Sequence, residues 1–116
     1  MARTTLTKTN APGHYATSGQ TLTFTAADVT NGNQFKATGK ELLIARNTDD
    51  ATAYSVTVSS APDPYGRTGD ISQHSIPPLE THIFGPFPVL GWQQSDGYIY
   101  VDAENAAIEL AVVVLP

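Results

Sequence analysis

The sequence predicts an all-β chain, an antiparallel β-sandwich or jelly-roll-like domain behind an extended N-terminal arm. Three observations carry that reading. Apolar and polar residues alternate along several short runs, clusters of Gly, Pro, Asn and Asp separate those runs, and no segment repeats apolar residues at helical spacing.

Taken in order, residues 1–20 read as the arm and residues 21–116 as the sandwich. The arm is built from Thr, Ala, Gly, Asn and other small or polar types, with Leu6 and Tyr15 as its large apolar residues. No amphipathic pattern fits it, so it is either a frayed terminus or an extended segment that orders on a partner. Thr21-Leu22-Thr23-Phe24-Thr25 alternates and gives the first sandwich strand, with Leu22 and Phe24 inward. Thr25-Ala26-Ala27-Asp28 has the form of a weak capping box opening one helical turn, which Asn31-Gly32-Asn33 stops. Gln34-Phe35-Lys36-Ala37 is expected to pair briefly at a sheet edge.

The clearest periodicity lies in residues 40–59. Glu41-Leu42-Leu43-Ile44-Ala45-Arg46 is a strand, Asn47-Thr48-Asp49-Asp50 is turn chemistry, and Tyr54-Ser55-Val56-Thr57-Val58-Ser59 alternates strictly, so the stretch reads as a hairpin with Tyr54, Val56 and Val58 facing the core. The proline- and glycine-rich residues 61–70 form a loop. Residues 71–76 and 81–84 are short strands on either side of a stiff Pro77-Pro78 corner. Ser95-Asp96-Gly97 is a hairpin signal opening the strand Tyr98-Ile99-Tyr100-Val101. Residues 108–115 carry apolar side chains on both faces, which suits a strand buried on both sides or one whose outer face meets another subunit.

Composition narrows the function classes. At 116 residues the chain is one domain, large enough to bury roughly two thirds of its unfolded surface. With no cysteine it has neither a disulfide framework nor a thiolate metal site. Its longest apolar run is far shorter than the roughly 20 residues of a membrane span, and Met1-Ala2-Arg3-Thr4-Thr5 leads into polar sequence, so neither a membrane partner nor a signal peptide is expected. The net charge is −5: a weakly basic front with Arg3, Lys8, Lys36 and Lys40 precedes an acidic body. An acidic body is a poor match for nucleic acid, because phosphate binding needs a clustered Lys/Arg face.

No motif for catalysis or for a cofactor emerges. His14, His74 and His82 are spaced too widely for a local metal motif, so a cupin-like centre is not expected; His74 and His82 can meet across neighbouring strands, where a structural role is the first expectation. Asp49-Asp50, Asp63 and Asp70 lack the spacing of a calcium loop and read as turn caps. Trp92, Tyr98, Tyr100 and Tyr65 could line a sugar-binding face or fill the core and its corners, and aromatic residues more often do the latter. The expected site residues are therefore partner contacts alone: Arg3, Leu6 and Lys8 in the arm, and Ala111, Val113 and Leu115 on the outer face of the last strand.

With the arm, Thr25-Ala26-Ala27-Asp28, Asn31-Gly32-Asn33-Gln34-Phe35, the 41–59 segment, Asp63-Pro64-Tyr65-Gly66-Arg67-Thr68-Gly69-Asp70 and the stretch from Gly85-Pro86-Phe87 to Trp92 in hand, the chain resembles small virion proteins of tailed bacteriophages over nearly its full length. Within that group it is most similar to capsid decoration, or cement, proteins. The resemblance implies a non-enzymatic protein without a cofactor, made in the host cytoplasm. It implies further that the protein binds the major capsid protein on the outer capsid surface, often as a homotrimer, and stabilises the shell. Phage tail or head-completion proteins and carbohydrate-binding sandwich modules are the alternatives, since the same features serve them.

Overall fold

In the computed structural model, which describes residues 2–13, 15–61 and 69–115, ten strands and no helix form among the described residues. They are β1 (Thr4–Thr5), β2 (Lys8–Asn10), β3 (Thr25–Ala26), β4 (Asn33–Lys36), β5 (Glu41–Asn47), β6 (Tyr54–Val58), β7 (Ile71–Ile76), β8 (Thr81–Phe84), β9 (Tyr98–Ala103) and β10 (Ile108–Val114). One sheet runs β1-β4-β9-β6-β7 and the other β2-β10-β5-β8, with β3 also paired to β10. Between them lies one core, in which Phe35, Leu43, Val56, Val58, Ile99 and Leu110 are fully buried. The all-β sandwich architecture expected from the alternating runs is therefore present, with a mixed rather than purely antiparallel strand set.

From β3 onward the pairing nests. β3 pairs β10, β4 pairs β9, β5 pairs β8 and β6 pairs β7, all antiparallel, and successive pairs fall alternately in the two sheets. A long hairpin folded over on itself gives that arrangement. Period-two chemistry fixes its register: on β5 Glu41, Leu43, Ala45 and Asn47 are buried while Leu42, Ile44 and Arg46 are half-exposed, and a slip of one residue would invert the set.

The expected hairpin across residues 40–59 does not form. β5 and β6 lie in different sheets, and the turn between them is a corner. Its local chemistry is as the sequence suggests: Asn47 Oδ1 accepts the Asp49 amide at 2.9 Å, and Asp49 Oδ1 accepts the amides of Ala51 and Thr52. Asn47 itself is buried, however, and its Nδ2 donates to Thr52 O and Ile76 O at 2.8 and 2.9 Å, tying the corner to β7 across the core. The strand expected at residues 21–25 shrinks to β3, with Leu22 and Phe24 half-buried instead of in the core. The helical turn is present, closed by the Gly32 amide on Asp28 O at 2.8 Å, but its cap is Asp28, whose Oδ1 accepts the Asn31 amide. β4 is an internal strand, because β1 lies outside it.

That last point corrects the arm. β1 pairs parallel to β4, β2 pairs parallel to β10, and Leu6 between them is a core residue, 3% exposed. Residues 4–10 thus reach both sheets, and a division at residue 20 does not follow the pairing. Strands of two and three residues need only one apolar anchor, and Thr on either side suits the solvated positions. Leu6→Ala is expected to cost about 2–5 kcal/mol by leaving a cavity, and Val56→Ala or Phe84→Ala roughly 1–5 kcal/mol. Deleting residues 2–10 should lower the denaturant midpoint more than any of these; a midpoint that stayed in place would mean the N-terminal strands add nothing to the sandwich.

Candidate functional site

Each expected arm contact is engaged within the chain. Arg3 donates through both terminal nitrogens to Asp102, at 3.0 and 3.2 Å, and through Nη1 to the Asn33 carbonyl at 3.1 Å. Its guanidinium also lies 4.2 Å from the centre of the Tyr100 ring. Gly32, at φ +80°, makes room for this clamp: a Cβ there would strike both Arg3 Nη1 and Asp102 Oδ1. Leu6 fills the core. Lys8 Nζ donates to Lys36 O at 2.7 Å and to Glu41 Oε2 at 3.2 Å.

Glu41 is the one buried carboxylate among the described residues, and its surroundings explain how it stays ionised. Burial pushes its carboxyl up, but the Thr38 hydroxyl, the Thr38 amide at 2.8 Å and the Lys8 ammonium together outweigh that and hold it below the ordinary value. Asp28 is lowered by the Thr4 hydroxyl at 2.6 Å and the Asn31 amide, and Asp96 by the Tyr100 hydroxyl at 2.5 Å. The same contact raises the Tyr100 phenol.

The last strand divides its expected contacts. Ala111 is 1% exposed and closed over by its own chain, so it is not a partner contact of the free face. Val113 is half-buried and lines, with Thr9, Pro12 and Leu22, a shallow apolar groove. Leu115 is half-buried beyond the end of β10, its amide on Lys40 O at 2.8 Å. What the sequence reading missed lies on the neighbouring strands. Ile83 of β8, 64% exposed, pairs with Ile44 of β5, which pairs with Ala111; Leu42 pairs with Val113. These residues form an apolar row on the outside of the sheet, bounded on one side by the Arg46–Glu109 ion pair at 2.6 Å, over which Phe24 stacks 3.8 Å from the Arg46 guanidinium. The outer face of the other sheet is more polar, with Ser55 opposite Ser75 and Thr57 opposite Asp102, and it also carries the half-buried Tyr98 and Tyr100 of β9. Consecutive Leu42-Leu43-Ile44 was the signal: a strand apolar at successive positions is apolar on both faces.

The aromatic residues do not form one platform. Trp92 packs edge-on against buried Phe87, 5.0 Å between ring centres, while Tyr100 is engaged by Arg3 and Asp96. Tyr65 and Asp63 lie outside the described residues, as does His14. Asp49 caps its turn and Asp70 accepts the Ser60 amide and hydroxyl, as expected of turn acids. His74 and His82 do meet: His74 Nε2 lies 2.9 Å from His82 Nδ1, and His82 Nε2 lies 3.0 Å from Glu80 Oε1.

Comparison with protein-family models, with curated proteins and with solved structures found no match.

The Glu41 anchor makes a pH prediction. Its folded pKa lies below its unfolded value, so its stabilisation is present above the unfolded value and is lost as pH falls through the folded one; Asp28, Asp70 and Asp96 act with the same sign. Thermal melts should hold steady near neutrality and fall on acidification below about pH 4.3, the ordinary Glu value. Glu41→Gln should be less stable at pH 7 and lose less on acidification; an acid limb identical to wild type would remove Glu41 from this account.

Proposed function

We propose that the chain is a non-enzymatic structural protein of a tailed-phage virion, which binds the major capsid protein on the outer surface of the shell and stabilises it. The observation that carries this reading is the nested antiparallel pairing of β3 through β10. We read that nesting as the wrapping of a jelly roll, an architecture used by viral capsid proteins, and it joins the sequence's resemblance to capsid decoration proteins. Lectins and cupins use jelly rolls too, and a fold alone does not assign a function, so the surface has to discriminate. The apolar row on the outside of one sheet favours a protein that works through contact area. A carbohydrate-binding module is less favoured, because Trp92 packs against Phe87 and the Arg3 guanidinium already lies over the Tyr100 ring.

In this reading Ile83, Ile44, Leu42 and Val113 supply the contact with the shell or with neighbouring copies in a homotrimer. Arg3, Leu6 and Lys8 act indirectly, by holding the sandwich closed. The test is co-sedimentation with procapsids and expanded capsids assembled from a tailed-phage major capsid protein, chosen from the reading frames that neighbour this chain's own. Expanded shells should take up the protein at fixed stoichiometry and resist heating better. Ile83→Asp, at an exposed position, should weaken uptake by about tenfold or more, as expected for an apolar anchor at an interface, with an unchanged circular dichroism spectrum. Sedimentation with tails instead of shells would favour the tail-protein alternative, and uptake indifferent to Ile83→Asp would remove this face from the interface.

A further inference from the structure

We propose that His74 and His82 form a surface site for one divalent transition-metal ion, preferably copper(II) or nickel(II), with Glu80 orienting the second imidazole. No local motif makes this site; the fold does. β7 is the outer strand of one sheet and β8 of the other, and on each the histidine falls on the inward side, His74 opposite Val56 and His82 opposite Ala45. The Pro77-Pro78 corner between the strands then brings the two rings together at the open edge of the sandwich.

The donor set is already arranged. Glu80 Oε1, 3.0 Å from His82 Nε2, accepts the hydrogen there, which leaves the His82 lone pair on Nδ1, facing His74 Nε2 at 2.9 Å. A metal-binding histidine typically has a carboxylate or carbonyl on its other nitrogen, which fixes the tautomer and raises the basicity of the ligand. The observed 2.9 Å between the two nitrogens is a hydrogen-bond contact, which the ion replaces when it enters between the rings. Imidazole ligands suit copper and nickel, and copper(II) stands at the top of the affinity order for divalent first-row metals. His74 is also held edge-on by Phe84, 5.1 Å between ring centres at 88°, so the pair is anchored to the core.

Binding needs little rearrangement. The hydrogen on His74 Nε2 passes through solvent to its Nδ1, both rings bind as neutral imidazoles, and His74, which is exposed, turns so that the two lone pairs converge on the ion. Among the described residues no group of three His, Cys, Asp or Glu side chains is placed to hold a metal, so water fills the remaining positions. The site lies at the sandwich edge and does not depend on the virion reading.

The experiment is calorimetric titration of the untagged full chain with copper(II) sulfate and nickel(II) sulfate in a non-chelating buffer at pH 7.5. One ion should bind per chain, with zinc weaker than either. His74→Gln and His82→Gln should each weaken binding about tenfold or more, and Glu80→Gln about tenfold, the range for loss of an orienting carboxylate. On the wild-type protein, copper(II) should broaden amide resonances of β7 and β8 first, a readout that needs no variant. Absence of binding, affinity indifferent to His74→Gln, or broadening centred on the N-terminus or His14 would each overturn the proposal.

Discussion

The sandwich depends on the way its first ten residues close both sheets at once. β1 covers β4 in one sheet and β2 covers β10 in the other, so two edges that would otherwise offer unpaired amides and carbonyls are capped by consecutive residues. Leu6, between them, enters the core where the sheets approach. Parallel pairing is possible because a long connection separates β2 from β3. The polar anchors then act at either end of the segment: Arg3 across Asp102 and Tyr100, and Lys8 on the buried Glu41 carboxylate. The Lys8 anchor satisfies the buried Glu41 carboxylate, which would be expensive to leave unpaired, and removing one partner of such a pair is far more damaging than never having built it, whereas Asp102 is 45% exposed and water can replace Arg3 there.

Much of this was readable from the sequence where a single segment determines its own state. β7 and β8 fall where alternation and the Pro77-Pro78 break put them, and Val56 and Val58 are buried because side chains on a strand repeat every two residues. Partner choice was not readable in the same way. Asn47-Thr48-Asp49-Asp50 makes the same local hydrogen bonds whether it links paired strands or crosses between sheets, and what distinguishes the corner from the hairpin is non-local: Asn47's bond to Ile76, 29 residues away, and Thr48's to Ala107. The N-terminal strands were missed for a related reason. Two or three residues cannot display a period, so Thr-Thr-Leu-Thr-Lys-Thr looked like polar filler although each Thr is a good strand residue.

The same limit applies to the expected contact residues. Arg3 and Lys8 looked available because charged side chains are usually solvated, yet they are two of only six Lys and Arg in the chain and both are held by acids far away in sequence. On β10 the apolar outer positions were noticed, but Ala111 is covered once its neighbours are in place. The same reasoning applied to β5 would have reached Leu42 and Ile44, and the antiparallel register then leads to Ile83. That step needs the pairing of β5 with β8, which is non-local.

The two outer faces provide an internal comparison. Both belong to one chain, meet the same solvent and are built on strands of similar length, yet one carries Ser55, Thr57, Gln34 and Asp102 beside Tyr98 and Tyr100, while the other carries Leu42, Ile44, Ile83 and Val113. Each sheet of a sandwich needs only one apolar face to build the core, so the apolar outer row adds nothing to the interior that holds the sheets together. Left in water it forgoes roughly 25 cal/mol for every Å² that a partner would cover. The Arg46–Glu109 pair beside it neutralises its own charge, so an acidic chain of net −5 has there a surface that another macromolecule can approach without meeting excess negative charge. Apolar area and local neutrality on one side, and hydroxyl, amide and tyrosine side chains on the other, make the two outer faces of this sandwich chemically unlike.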